Sequence, residues 1–199
     1  MISPDIFIRI AAAGGFDEKF LLDFKNDFQK ALHNNFGANA CCIFSNTDSE
    51  KITIYKIPRA AYNANIGKYN AHTLFLFGKE RREESLNEFG KIKVQLKILV
   101  LVDFDIFKPG FTGTLFGEAE VDGDIAIVSV SPLKDDSNEF LTKDRLVKEA
   151  LHIIGYTLGL GPCETPSCAM SPSKTLEDID KRNTFYCNSC TKKISSGKE

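Results

Sequence analysis

Two pairs of cysteines toward the carboxyl end carry the clearest chemistry in the chain. Four residues separate Cys163 from Cys168 and two separate Cys187 from Cys190, with 18 residues between the pairs. Structural zinc takes four soft ligands in a tetrahedron, and two short-spaced thiolate pairs supply them with little chain strain. Thr165-Pro166-Ser167 and Asn188-Ser189 give each pair its turn. Free thiols or two disulfides are the other readings, and in a reducing compartment the spacing favours metal. Four thiolates leave no open position for water or substrate. One zinc held this way is a staple rather than a reaction centre. Cys41 and Cys42 are adjacent in an apolar segment and read as buried hydrophobes.

A lone histidine, His152, precedes this cluster on a stretch of helical periodicity that runs to Gly159, Pro162 and Cys163, with Met170 beyond. The run from Lys148 to Cys163 resembles the archaemetzincin family, whose members carry H-E-x-x-H-x-x-G-x-x-H-C, a further Cys, a nearby Met and a C-x-x-C. His152 then matches the first zinc-binding His, Gly159 the turn glycine and Met170 the Met-turn residue. The four cysteines match the family's second, structural zinc site. Ala61-Tyr62-Asn63, Lys68-Tyr69-Asn70-Ala71, Val102-Asp103-Phe104-Asp105-Ile106 and Phe116-Gly117-Glu118-Ala119 extend the resemblance upstream.

The resemblance implies an α+β, metzincin-like fold. It would be a three-layer α/β/α arrangement around a mostly parallel, mixed five-stranded sheet, closed by the zinc-stapled segment. One domain then spans 1–199: a sheet-and-helix part to 159, the Met-turn and cysteine segment over 160–193, and a frayed tail over 194–199. In related peptidases an extended substrate adds to the sheet's edge strand, here residues 114–119, with Leu115, Phe116 and Gly117 at its centre. Such main-chain pairing needs no metal.

The departures fall on the chemistry. Ile153 stands where the family has its glutamate base, and Tyr156 and Pro162 stand where it has its second and third histidine ligands. A single imidazole does not make a zinc tetrahedron, proline offers no side-chain ligand, and a phenol must first lose a proton with a pKa of about 10. Losing a general base alone costs ~10²–10⁴ in rate. The sequence therefore predicts a non-catalytic or strongly impaired relative that binds one structural zinc and acts as a scaffold for a peptide or protein. A catalytic zinc is not expected, and His152 reads as a core histidine with a hydrogen-bond partner. The alternative is a zinc peptidase whose site is rebuilt from His152, Tyr156 and carboxylates such as Glu118, Glu149 and Glu164.

Charge argues against other partners. The net charge is −2, and Lys174, Lys181, Arg182, Lys192 and Lys193 around the cysteines are offset by Glu177, Asp178 and Asp180. Neither nucleic acid nor an anionic membrane is an expected partner. Asp5 and Arg9 interrupt the first apolar run and no stretch reaches 18 apolar residues, so the expected location is cytoplasmic.

The elements that must position these residues follow from periodicity. Strands are expected over 6–11 and 40–44, with a peripheral one over 51–57. A helix over 17–33 is capped by Asp17. Residues 61–77 read as loop before a short helix or strand near 71–77, and 79–88 as a solvated helix face. A central strand over 98–102 is buried on both faces. A hairpin turns at Asp122-Gly123-Asp124, and helices follow over 142–158 and 176–181.

Overall fold

The computed structural model describes residues 6–44, 52–89 and 94–196. The central strand is longer than the apolar run alone: β6 spans Gln95–Val102 and pairs in parallel along its length with β1, Ile6–Ala13. Their pleat divides the core in two. Ile8, Ile10, Ala12, Leu99 and Leu101 point to one face, and Ala11, Ala13, Ile98, Val100 and Val102 point to the other. Strands buried on both faces need helices on both sides.

On the first face lie α1, Glu18–Phe36, and α3, Glu139–Thr157; on the second lies α2, Ala71–Phe89. Asp17 caps α1 by accepting from the Phe20 amide at 3.0 Å, and Leu21, Phe24, Phe28, Ala31 and Leu32 form its buried stripe. Three further strands complete the main row of the sheet: β2 (Ala40–Phe44), β8 (Gly117–Ala119) and β9 (Ile125–Ser129). The order is β2-β1-β6-β9-β8, with only β8 antiparallel to its neighbour. This is the expected three-layer, mostly parallel five-stranded arrangement. The strand expected over 51–57 shrinks to β3, Ile54–Tyr55, paired with the end of β1; Lys51 lies outside the described residues.

Four elements differ from expectation. Residues 61–70 contain a small hairpin, β4 (Tyr62–Asn63) with β5 (Lys68–Asn70), and β5 pairs in turn with β7 (Ile106–Phe107). The segment near 71–77 and the charged stretch after it are one helix, α2. Their apolar and charged halves hide its period, and Gly78 sits at its centre. That glycine brings the helix onto the sheet, since a Cβ there would lie 2.5 Å from the Ile125 methyl. Asn138 starts α3 earlier than Thr142 by accepting from the Leu141 amide at 3.1 Å. Finally, the tail expected to fray from 194 is helical to Ser196: α5 spans Asn188–Ser196, after α4 over Leu176–Lys181.

Gly78→Val is expected to lower the unfolding free energy by about 1–3 kcal/mol, through overpacking against Ile125 and Val100. The urea midpoint of the zinc-loaded chain measures it; an unchanged midpoint would show that α2 shifts off the sheet at no cost.

Candidate metal centre and adjoining cleft

Where α3 ends, the chain turns through Gly159, whose φ of 80° is one that side chains disfavour. The Leu160 amide donates back to the Gly155 carbonyl at 3.0 Å, closing the helix. Three residues after Leu160, Cys163 donates its amide to the Met170 carbonyl at 2.9 Å, and Cys168 donates to the Thr165 carbonyl at 3.0 Å. The intervening loop is thereby folded back on itself. Cys187 immediately precedes α5 and Cys190 lies in its first turn, which puts the second pair on one helix end.

These supports bring the four sulfurs within 4.8 Å of one another. Cys163 and Cys187 approach to 3.7 Å, and Cys168 and Cys190 to 3.8 Å. A tetrahedron with Zn–S bonds of about 2.3 Å has S···S edges of roughly 3.8 Å, so the cluster has the size a zinc ion requires. Amides of Met170 and Cys187 point at the Cys168 sulfur, at 3.4 and 3.3 Å. Both donors favour a thiolate there. Burial pushes the Cys168 and Cys190 thiols up, whereas the Cys190 amide holds Cys187 down at about 6. Among the described residues this is the one convergent group of three or more Cys, His, Asp or Glu side chains.

The segment that carries Cys168 also floors the cleft beside α3. Ala169 accepts a hydrogen bond from Nδ1 of His152 at 2.8 Å, which places the ring's lone pair on Nε2. Met170 is fully buried, and its Sδ lies so close to Gly155 that a Cβ there would sit 2.2 Å away. Tyr186 donates its hydroxyl to the Leu151 carbonyl at 2.7 Å. Burial, with a smaller contribution from the Arg182 charge, drops the His152 pKa to about 3, so the imidazole is neutral.

His152, Ile153 and Tyr156 all line a cleft of about 240 Å³ between α3 and the β8 edge. The His152 and Tyr156 rings meet edge to face, with centroids 5.0 Å apart. Ile153 is buried against the edge strand, where a Cβ on Gly117 would fall 2.7 Å from it. Pro162 is exposed on the following loop and does not line the cleft. Leu115, Phe116 and Gly117 do line it, although the Leu115 backbone is already bridged to Ile106.

Of the three carboxylates considered as rebuilt ligands, Glu118 and Glu149 border the cleft and Glu164 does not. Glu118 is paired with Lys108 at 3.0 Å. Glu149 is buried and paired with Arg182 at 3.1 Å, and Arg182 also donates to the Ser173 hydroxyl. Burial raises the Glu149 pKa against the pull of that guanidinium. Ser173, Phe111, Val121 and Tyr186 escaped the sequence reading: they lie on loops whose spacing from His152 follows no period.

Residues 20–196 match peptidase family M54. The archaemetzincin of Methanocaldococcus jannaschii is 32% identical over 179 residues, covering 86% of this chain and 88% of that protein. That of Methanopyrus kandleri is 34% identical over 137 residues, 68% of this chain and 71% of its own length. The crystal structure of the M. kandleri archaemetzincin aligns with a TM-score of 0.76 at 26% identity, over 96% of this chain and 93% of that one. The archaemetzincin of Archaeoglobus fulgidus, crystallised with malonate, gives 0.63 at 25% identity, over 94% and 98%. With the sheet order, the Met170 floor and the four-cysteine cluster all in place, the chain belongs to peptidase family M54, the archaemetzincins.

Proposed function

We propose that this archaemetzincin has lost hydrolytic activity, binds one structural zinc through Cys163, Cys168, Cys187 and Cys190, and uses the cleft beside β8 to hold an extended peptide. The observation that carries this is the set of residues at the reactive positions: Ile153, Tyr156 and Pro162. A zinc peptidase lowers the pKa of a metal-bound water to about 7 and deprotonates it with a positioned base. Here the base position holds a hydrocarbon packed on Gly117, and the third ligand position holds an exposed proline.

The residues in the cleft do not fit a catalytic zinc. His152 donates its Nδ1–H to the Ala169 carbonyl and keeps the Nε2 lone pair as its one free ligand atom. Tyr156 is half-buried, and burial and Glu149 hold its phenol above the usual range, away from the phenolate a metal needs. Glu118 and Glu149 supply the best support for a rebuilt peptidase, because both share the cleft with His152. Each already neutralises a cation, and metal binding would strip Lys108 or the buried Arg182 of its partner. Exposing a buried guanidinium to that loss is costly, of order 3–5 kcal/mol.

What remains is a sheet edge beside a cleft. β8 is the terminal strand of the five and offers main-chain groups to an extended chain. No described helix is long and apolar enough to cross a membrane.

Elemental analysis of the purified chain is expected to give one zinc per molecule, and two would restore the peptidase reading. Cys187→Ser or strong chelation should remove that ion and destabilise the fold by several kcal/mol, read as a large fall in melting temperature. Peptide hydrolysis above background that chelators abolish and zinc restores would overturn the loss of activity.

His152 gives a signed pH dependence. Its folded pKa of about 3 lies below the unfolded value near 6.5. The unfolded chain therefore takes up a proton that the fold refuses, and stability falls as pH drops from 6.5 toward 3, by at most about 1.4 kcal/mol per unit. Compared with His152→Gln, the wild type should lose about 1 kcal/mol more between pH 6.5 and 5.5. Equal losses would place His152 in water.

A further inference from the structure

We infer that the cleft beside His152 and the cavity next to it form one groove with a charge polarity, whose ligand is an extended peptide bearing an apolar side chain followed about three residues later by a carboxylate. This rests on the peptide-holding reading above and adds the chemistry of what is held.

Residues 114–116 border both spaces, the cleft of about 240 Å³ and a neighbouring cavity of about 530 Å³. Apolar side chains line part of the cleft, beside its carboxylates and His152. Phe111 and Val121 are 49% and 69% exposed there, and Ile153 lies behind them. Large apolar side chains left in water around a concavity are where an apolar anchor docks. The carboxylates at this end, Glu118 and Glu149, are already neutralised by Lys108 and Arg182.

The neighbouring cavity is different. It is bordered by Lys68 and Lys174 against a single acid, Asp105. Neither ammonium is hydrogen-bonded or ion-paired to another side chain among the described residues. One positive charge is therefore in excess at this end of the groove, next to neutralised charge at the other.

Strand pairing converts this difference into a direction. Antiparallel pairing is somewhat stronger per residue than parallel. A peptide antiparallel to β8 runs from Ala119 toward Thr114, so its C-terminal part arrives at the lysines. Pairing can use Gly117–Ala119 and gives way near Leu115, where the backbone already bridges to Ile106. An anchor opposite Gly117 and a group opposite Thr114 are three residues apart, roughly 10 Å along a strand; a regular pleat would aim them to opposite faces, and the end of pairing at Leu115 frees the last residue to turn toward the lysines. The anionic group can be an Asp or Glu side chain or the peptide's own terminal carboxylate, since both present the same oxygens to an ammonium.

The test is fluorescence polarisation on the zinc-loaded full chain, with labelled hexapeptides in four arms. One is end-blocked with Leu followed three residues later by Glu, one has Gln in place of that Glu, one has Gln and a free terminal carboxylate, and one reverses the residue order. The Glu peptide is expected to bind about three- to tenfold tighter than the Gln peptide. That advantage should fade with added salt and disappear in the Lys68→Met, Lys174→Met double variant; Lys174 is exposed and Lys68 half-buried on β5, and an unchanged melting temperature shows that the fold is kept. If the free carboxylate alone restores tight binding, the terminal group is the recognised source; if only Glu does, it is the side chain. Equal affinity for the Glu and Gln peptides, or for forward and reversed order, overturns this inference and leaves peptide holding intact. Absence of binding in every arm removes both.

Discussion

Four sulfur atoms within 4.8 Å of one another decide where the last 37 residues of the described chain can go. Between Leu160 and Ser196, α4 and α5 are short and fully buried apolar side chains are few, so the cluster acts together with polar ties to α1 and α3. A structural zinc contributes on the order of 10 kcal/mol of apparent binding energy, as much as the whole stability of a typical domain. That is enough to order a segment whose own apolar burial would not. Packing then refines what the ion imposes. Asn35 on α1 accepts from the Tyr186 amide at 2.8 Å, and Arg145 on α3 grips Asp180 with two bonds of 2.7 Å.

Because Cys168, Ala169 and Met170 are consecutive, the same constraint that seats a ligand also builds the floor of the cleft. Ala169 orients His152, and Met170 packs into the space that Gly155 leaves open. The cleft can therefore keep its shape while its chemistry is replaced. A catalytic ligand set points into solvent-filled space, so substituting it removes few core contacts. Ile153 even adds one, against Gly117. The fold and the four-cysteine cluster therefore do not depend on which side chains occupy positions 153, 156 and 162.

Much of this was legible in the residues. Continuous apolar runs gave the central strands, since strands covered on both faces leave no polar alternation. The helix that carries His152 was readable from its stripe, and the cysteine cluster from spacing alone, because ligand geometry is short-range and stereotyped. The failures were equally physical. The helix α2 hides its period behind an apolar half, a charged half and a central glycine whose reason is a contact with Ile125, a residue 47 positions away. The last helix looks frayed in a polar sequence, yet it starts at the second cysteine pair and is held by it. Ser173, Phe111 and Val121 reach the cleft from loops, where no periodicity announces a side chain's direction.

The buried pair of Glu149 and Arg182 fixes one wall of the cleft. Taking both charges from water costs several kcal/mol each, and their attraction offsets this only when the remaining donors are satisfied. Here Nη2 of Arg182 serves Glu149 and Ser173, while Nε and Nη1 are buried without a partner among the described residues. The pair is a poor stabiliser, so its effect is positional. It pins the loop at Ser173 and the end of α4 to the middle of α3, immediately beside His152. Tied together at this distance, these elements border a concavity next to a sheet edge, which an enzyme needs for its substrate and a binding protein needs no less.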